Sequence, residues 1–420
     1  MPAFRFVHAA DVHLDSPLRG LAGQDGSAIE LIRSATRKAF EALITRTIEE
    51  RAAFLVIAGD LYDGDWRDYQ TGLFFVRQMG RLREAGVPAY VIYGNHDAQS
   101  KITRSLTLPD NVHVFPTRSP ETCQIAELDV ALHGQGFKER DTSDNLARKY
   151  PTAVPGAFNI GILHTGLAGI EGHAPYAPCT LDELRQKGYD YWALGHIHKP
   201  EILSTNPHVV FSGNVQGRHI RETGPRGAML VAVEDGAVTA LEPLHVDVVR
   251  WALVEVGVDG VETVSDANDS IRAGIERAVE EFADGRLLAC RIEVVGRTPA
   301  HGTLLAAHED LLAEARASAA GLGDEVAWVE KLIIDTAPPT NTVPDPALAE
   351  TLGELGLARQ DTALLRDLKE QIAPFVGKLP AEARDAAESP LLRAAIDHDF
   401  GELIELARPY AMARLTGHEG

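Results

Sequence analysis

Along residues 1–245, short apolar runs alternate with stretches whose apolar residues recur at helical spacing. Phe54–Ala58, Ala89–Tyr93, Asn159–Leu163 and Tyr191–Leu194 are short, β-branched or aromatic, and each ends in a polar cluster, which predicts buried strands. Ile29–Arg51 and Asp68–Ala85 carry the helical period. Such alternation predicts an α/β layered domain, whose ligands gather at the carboxyl ends of the strands. Beyond His245 the pattern changes. Strands are predicted at Val249–Val258, Leu287–Val295 and Ala327–Asp335, and helices at Glu262–Phe282 and Leu304–Ala319, giving a small α+β domain over residues 246–336. Residues 337–346 (APPTNTVPDP) hold four prolines and are expected to form a linker. Residues 347–420, rich in Leu, Ala and Glu, predict a helical C-terminal region.

Composition narrows the class. At 420 residues the chain exceeds one ordinary core, and 45% hydrophobic with 24% charged residues is a globular balance. No apolar run approaches the roughly 18 residues that span a bilayer, so no membrane association is expected. The first predicted strand, Phe4–Ala10, leads straight into a motif and leaves no room for a signal peptide. Cys123, Cys179 and Cys290 are odd in number and far apart, which argues against a disulfide framework and predicts a reducing, cytoplasmic setting. The net charge of −21 disfavours broad electrostatic binding of nucleic acid. Bound divalent cations would reverse that field locally, so a DNA substrate stays open.

Five segments supply carboxylate, amide and imidazole groups, each beside the end of a predicted strand. They are Asp11-Val12-His13, Gly59-Asp60-Leu61-Tyr62-Asp63, Gly94-Asn95-His96-Asp97, His164 in LHTG, and Gly195-His196-Ile197-His198. In Asp11-x-His13 and His196-x-His198, alternate residues of an extended chain would face one site. Taken singly, each has an ordinary reading as a turn or a hydrogen-bonded core histidine. Five in this order at strand ends are hard to produce by packing needs. The donor mixture suits Mn, Fe or Zn better than Mg or Ca, which prefer oxygen shells. Two such ions roughly 3.5–4 Å apart generate a hydroxide and clamp an in-line displacement at phosphorus. Nucleophile-elbow serine, HExxH and P-loop signatures are absent from the sequence.

This order of motifs resembles the calcineurin-like metallophosphoesterase superfamily over residues 4–245. The resemblance implies a mixed β-sandwich flanked by helices and two bound metal ions. It implies that Asp11, His13 and His198 hold one ion, that Asn95, His164 and His196 hold the other, and that Asp60 bridges them. His96 would act at the leaving oxygen, with Asp97 orienting it, and Asp63 would be supporting or structural. The wider wording, HAADVHLDSP (His8–Pro17), GDLYDGDW (Gly59–Trp66), YWALGHIHKP (Tyr191–Pro200) and FSGNVQGRHIRETGPRG (Phe211–Gly227), is similar to the SbcD-like and YhaO-type bacterial DNA repair nucleases. That branch implies a manganese-dependent DNA exonuclease, a capping domain, and terminal helices that dock on an SMC-like coiled-coil ATPase. DNA, such an ATPase and a second copy of the chain are the partners it brings into view. The absence of an arginine after Asp63 and the fourth-motif Asp97 set the chain apart from the protein Ser/Thr phosphatases.

Arg218, His219, Arg221 and Arg226 crowd a glycine-broken loop after the last motif. Arginine forks match phosphate oxygens, so Arg218, Arg221 and Arg226 are candidate substrate contacts; a solvated loop pairing with acids is the equal alternative. The same two readings apply to Lys199. Tyr62 and Trp66 could stack on bases, though rim or core packing is the commoner role. His133, His173 and His219 are spare histidines expected to be surface or hydrogen-bonded. Two rivals to the nuclease stay open: a phosphodiesterase for a small substrate such as a cyclic nucleotide, and a partner-binding scaffold with little activity.

Overall fold

The buried strand runs are apolar throughout because each strand has two faces to cover. A computed structural model describes residues 1–16, 26–63, 69–99, 107–168, 176–339, 362–379 and 390–416. Pro17, Gly64, Asp65, Trp66, His173, residues 340–346 of the expected linker and part of the expected helical tail lie outside these residues. The chain divides into two units, the first comprising Met1–Ala252, Val279–Ala289 and Gly323–Trp328.

In the first unit, β1 (Phe4–Ala9), β2 (Phe54–Ala58), β3 (Ala89–Ile92) and β4 (Val112–Val114) pair in parallel. A second six-stranded sheet holds β5 (Glu121–Ile125), β6 (Val130–Gly134), β7 (Phe158–His164), β8 (Tyr191–Gly195), β9 (Glu201–Thr205) and β10 (His208–Phe211). Its order is β5-β6-β7-β8-β10-β9. The chain then returns to the first sheet as the hairpin β11 (Gly227–Glu234) and β12 (Ala237–His245), with β11 antiparallel to β1. Asp235 and Gly236, both at positive φ, make its turn, a pattern Asp-Gly favours. That dipeptide was the sequence signal for a hairpin the hydrophobic pattern did not reveal.

Alternate residues of each strand enter different cores. Phe4, Phe6, Phe54, Val56, Tyr90, Ile92, Phe158, Ile160, Tyr191 and Ala193 share one cluster joining both sheets. Val7, Leu55, Ile57 and Val91 face outward onto α1 (Ser27–Glu49) and α2 (Tyr69–Glu84), through Phe40, Leu43, Phe74 and Met79. Trp192, Leu194, Leu163 and Phe211 face the other way, onto Tyr150, Tyr189 and Leu184 of α3 (Leu181–Arg185). The first turns of α1 add Ile29 and Ile32 to a further cluster with Val249, Trp251, Leu287 and Ala289. The expected sandwich flanked by helices is the architecture found.

The second unit comprises Leu253–Ala278, Cys290–Leu322 and Val329–Gly420. The strands β13 (Val249–Gly257), β14 (Leu287–Arg297) and β15 (Ala327–Ala337) form a three-stranded sheet. The unit buries Val254, Val256, Ile292, Val294 and Val329 with Ile271 and Ile275 of α4 (Val264–Ala278). The helix predicted at Leu304–Ala319 is two helices, α5 (His301–Ala306) and α6 (His308–Gly321), broken at Ala307. Then follow α7 (Thr362–Lys378), α8 (Pro390–Ile396) and α9 (Phe400–Thr416), with α9 packed on α5 and α8. Among the described residues no helix is long and apolar enough to cross a membrane, and Cys123, Cys179 and Cys290 are free thiols.

Candidate metal centre

The register of the two sheets brings the five motifs to one place. Asp11 N donates to Gly59 O at 3.0 Å, His13 N to Asp60 O at 3.0 Å and Leu14 N to Leu61 O at 2.9 Å, so the chains leaving β1 and β2 travel together. From the second sheet, His164 ends β7 and pairs with Gly195 at the end of β8. The same-side placement of the paired ligands does not come from an extended chain, as the spacing suggested. Asp11, His13, Asp60 and His196 all have positive φ, of 51°, 47°, 51° and 100°. Each side chain is turned into the site by a left-handed bend costing about 1–3 kcal/mol. Gly94 is needed for closeness, since a Cβ there would collide with Asp60 Oδ1.

Three sets of ligand atoms lie within 4.8 Å of one another: Asp11, His13 and His198; Asp60, His164 and His196; and His13, Asp60 and His96. Asp60 and His13 each belong to two sets, and Asn95 Oδ1 lies 2.9 Å from His164 Nε2. Asp11, His13, Asp60, Asn95 and His164 are almost wholly buried. The proton positions test whether a cation fits. His164 Nδ1 can only donate to the Ala58 carbonyl at 3.0 Å, which leaves Nε2, 2.9 Å from the Asn95 oxygen and 3.4 Å from Asp60, as the ring atom that a cation would take in exchange for its proton. Likewise His198 Nδ1 donates to Glu222 at 2.6 Å, so its Nε2 lone pair faces His13 Nε2 at 3.2 Å. Acceptors converging about 3 Å apart are spaced as neighbouring ligands of one ion bound at about 2.1 Å. The donor set therefore fits divalent cations.

The charges agree. Burial would push the His164 ring down, but the Asp60 and Asp11 carboxylates outweigh it and raise it to about 9. Burial, with the Arg218 charge adding to it and the Asp63 and Asp60 carboxylates only partly opposing it, pushes His13 down to about 3. Burial also raises Asp11, whereas at Asp60 the surrounding histidines overcome burial and hold the carboxylate well below its usual range.

His96 stands 32% exposed at the rim, its Nδ1 2.7 Å from Asp63 Oδ1. Burial opposes its protonation, yet the Asp63 hydrogen bond and the Asp60 charge raise it above an ordinary histidine. Asp97 does not orient it. The Asp97 carboxylate instead accepts from Leu61 N, Tyr62 N and Gly94 N at 2.8–3.1 Å and knits the β2 and β3 loops together. A buried acceptor beside three orphan backbone donors goes to them first.

The loop after β10 also departs from expectation. Arg226 is buried and donates to the carbonyls of His198 and Thr223, which bars it from a substrate. Arg218 is engaged with Ser16, Asp63 and Glu222, while Arg221 is exposed. Lys199 is exposed as well. Glu222, which sequence reasoning passed over, is buried and binds His198, Asn214 Nδ2 at 3.0 Å and Arg218 N at 2.7 Å. A lone acid among arginines carries no signal of that task. Tyr62 is buried against Phe75 and does not offer a stacking face. His133 is hydrogen-bonded by Thr122 and Asn159, and His219 lies beside Glu222.

A helix-flanked double sheet whose strand ends converge carboxylates and imidazoles frames a candidate metal centre of the kind that suits phosphoester chemistry. Residues 4–200 match the calcineurin-like phosphoesterase family, and residues 251–337 match the middle domain of metallophosphoesterase YhaO. The chain is 40% identical over 238 residues to a Bacillus subtilis (strain 168) protein described as an uncharacterized metallophosphoesterase, YhaO, covering 56% of this chain and 58% of that one. It is 21% identical over 277 residues to the DNA double-strand break repair protein Mre11 of Sulfurisphaera tokodaii, covering 62% and 67%. The Mre11 of Methanopyrus kandleri is 26% identical over 303 residues, covering 64% and 63%. The matches thus span about three fifths to two thirds of these relatives.

Proposed function

We propose that the chain is a manganese-dependent nuclease that hydrolyses phosphodiester bonds at DNA ends. The metal-dependent chemistry is carried by the convergence of the ring nitrogens of His164 and His198 with Asn95 Oδ1 and the Asp60 carboxylate at strand ends, within ligand distance of one another. The DNA substrate is supported by the two Mre11 similarities, which run for 277 and 303 residues and so exceed the stretch 4–200 of the catalytic family.

In this reading Asp11, His13 and His198 would hold one cation, Asn95, His164 and His196 the other, and Asp60 both. Two such cations, when bound, supply Lewis acidity and water activation for in-line displacement at phosphorus. The chain's own residues do the rest. His96, whose protonated form Asp63 favours, would donate from Nε2 to the departing sugar oxygen. Asp97 holds the loops that carry Asp60 and Asn95. Docking of the terminal helices on an SMC-like ATPase and pairing with a second copy belong to the same proposal.

The test is full-length protein with Mn²⁺, assayed on linear duplex DNA, closed circular DNA and a chromogenic phosphodiester. Chelator-sensitive degradation of the linear duplex from its ends, with the closed circle spared, is the expected result. Turnover of the small ester with both DNAs untouched would remove the DNA substrate and leave a small-molecule phosphodiesterase.

A further inference from the structure

Two histidines of the site are each steered by a carboxylate, and a single guanidinium stands between those carboxylates. Asp63 accepts from His96 Nδ1 on Oδ1 and from Ser16 Oγ on Oδ2 at 2.5 Å. Glu222 accepts from His198 Nδ1 on Oε1 and from Asn214 Nδ2 and Arg218 N on Oε2. Arg218 places Nη1 3.2 Å from Ser16 Oγ and 3.6 Å from Asp63 Oδ2, and Nη2 3.5 Å from Glu222 Oε1. Its side chain is 15% exposed.

From this geometry we infer that Arg218 is a positioning residue, tying Asp63 to Glu222 and so setting His96 and His198 together. The inference rests on the metallophosphoesterase reading of the site. A buried carboxylate and a half-buried one facing the same catalytic edge repel one another and are costly to ionise without a cation. The guanidinium fork has two ends at a fixed separation, so it can span both acids in a set geometry that a compact ammonium does not impose. Both Nη groups are already engaged with Ser16, Asp63 and Glu222, which leaves phosphate recognition to groups such as the exposed Arg221. The consequence is coupling: loosening Arg218 slackens a metal ligand and the leaving-group acid in the same step.

The experiment compares wild type with Arg218→Lys and Arg218→Ala as full-length proteins. Mn²⁺ affinity is measured by calorimetry, kcat and KM on the chromogenic phosphodiester, and folding by thermal melting in chelator. Both variants are expected to melt as folded proteins, to bind Mn²⁺ about 10-fold or more weakly, and to lose kcat by about 10–100-fold at saturating Mn²⁺ with KM within about 3-fold. Lysine restores the charge but not the two-ended span, so it should rescue little. Guanidinium ion added to Arg218→Ala should recover part of kcat. Unchanged Mn²⁺ affinity with a raised KM in either variant would overturn the inference and make Arg218 a substrate contact. Wild type that neither binds Mn²⁺ nor shows chelator-sensitive turnover would instead overturn the reading of the site itself. If Arg218→Ala does not fold, Arg218→Lys decides by the same two readouts.

Discussion

The strand-end ligand set and the loop from Gln216 to Gly227 are built from equally polar residues, yet they obey different rules. At the strand ends, place follows from pairing. Asp11 leaves β1 beside Asp60 leaving β2, and His164 on β7 stands level with Gly195 on β8, because the ladders fix their register. In the loop, three arginines within nine residues meet three fates. Arg218 bridges carboxylates, Arg221 is exposed, and Arg226 is a buried strut under the His198 carbonyl. A residue at the end of a buried strand inherits its position. A loop residue takes whichever partners packing brings to it.

That contrast can be broken hardest at Asp60. Asp60→Ala removes the carboxylate shared by two ligand sets, and phosphodiesterase activity should fall by on the order of 10³-fold, with metal content, measured by mass spectrometry, falling too. Retained turnover would contradict the bridging role. His96→Ala should lower kcat by about 10²–10⁴-fold while leaving metal content intact. Asp63→Asn should cost about 10–100-fold and move the alkaline limb of the kcat–pH profile to lower pH. The sign follows because Asp63 raises His96, and a general acid stops working as pH rises through its titration.

Asp97→Ala separates the two rules within one motif. It leaves three backbone donors unmet and should lower stability by about 3 kcal/mol in a urea titration of the metal-free protein, a loss that Asp63→Asn should not share. Metal loading itself should weaken as pH falls. His164, raised to about 9 in the metal-free protein, must give up its proton to ligate. Calorimetry at neutral pH in two buffers of different ionisation heat should therefore show proton release on Mn²⁺ binding.

The smallest effects sharpen the loop. Arg226→Ala should destabilise by about 2–3 kcal/mol through two lost carbonyl contacts in a buried place. Arg221→Ala should leave stability within about 0.5 kcal/mol. If Arg221 meets DNA phosphate, its loss should also reduce the salt slope of binding by about 1. Equal melting temperatures for these two variants would erase the distinction between strut and surface.

The strands that carry the ligands were legible because their apolar runs are short, buried on both faces and followed at once by polar residues. Phe54–Ala58 matches its predicted bounds, and the strands at 89, 158 and 191 differ from theirs by a residue at one or both ends. The hairpin β11–β12 was not legible from alternation, since Ala237–His245 is an edge strand with a largely open face, and only its Asp-Gly turn marked it. The choice of His96's partner was equally out of reach. Asp97 adjoins it in sequence and Asp63 lies 33 residues away, and what turns Asp97 from His96 is the three backbone donors gathered around it, a fact of two loops meeting.

The sequence by itself determined the donor chemistry, the order of the motifs and the layered α/β class, because these depend on residue type and on periods of two and 3.6 along one chain. Only the tertiary structure decided that His198 answers to Glu222, that His96 answers to Asp63 and that one arginine stands between the two acids. Those partners are 24 and 33 residues apart in the two histidine pairs, and 155 in the link from Arg218 to Asp63. Coulomb and hydrogen-bond energies depend on distance in space, and no pattern along the chain encodes which buried charges will share it.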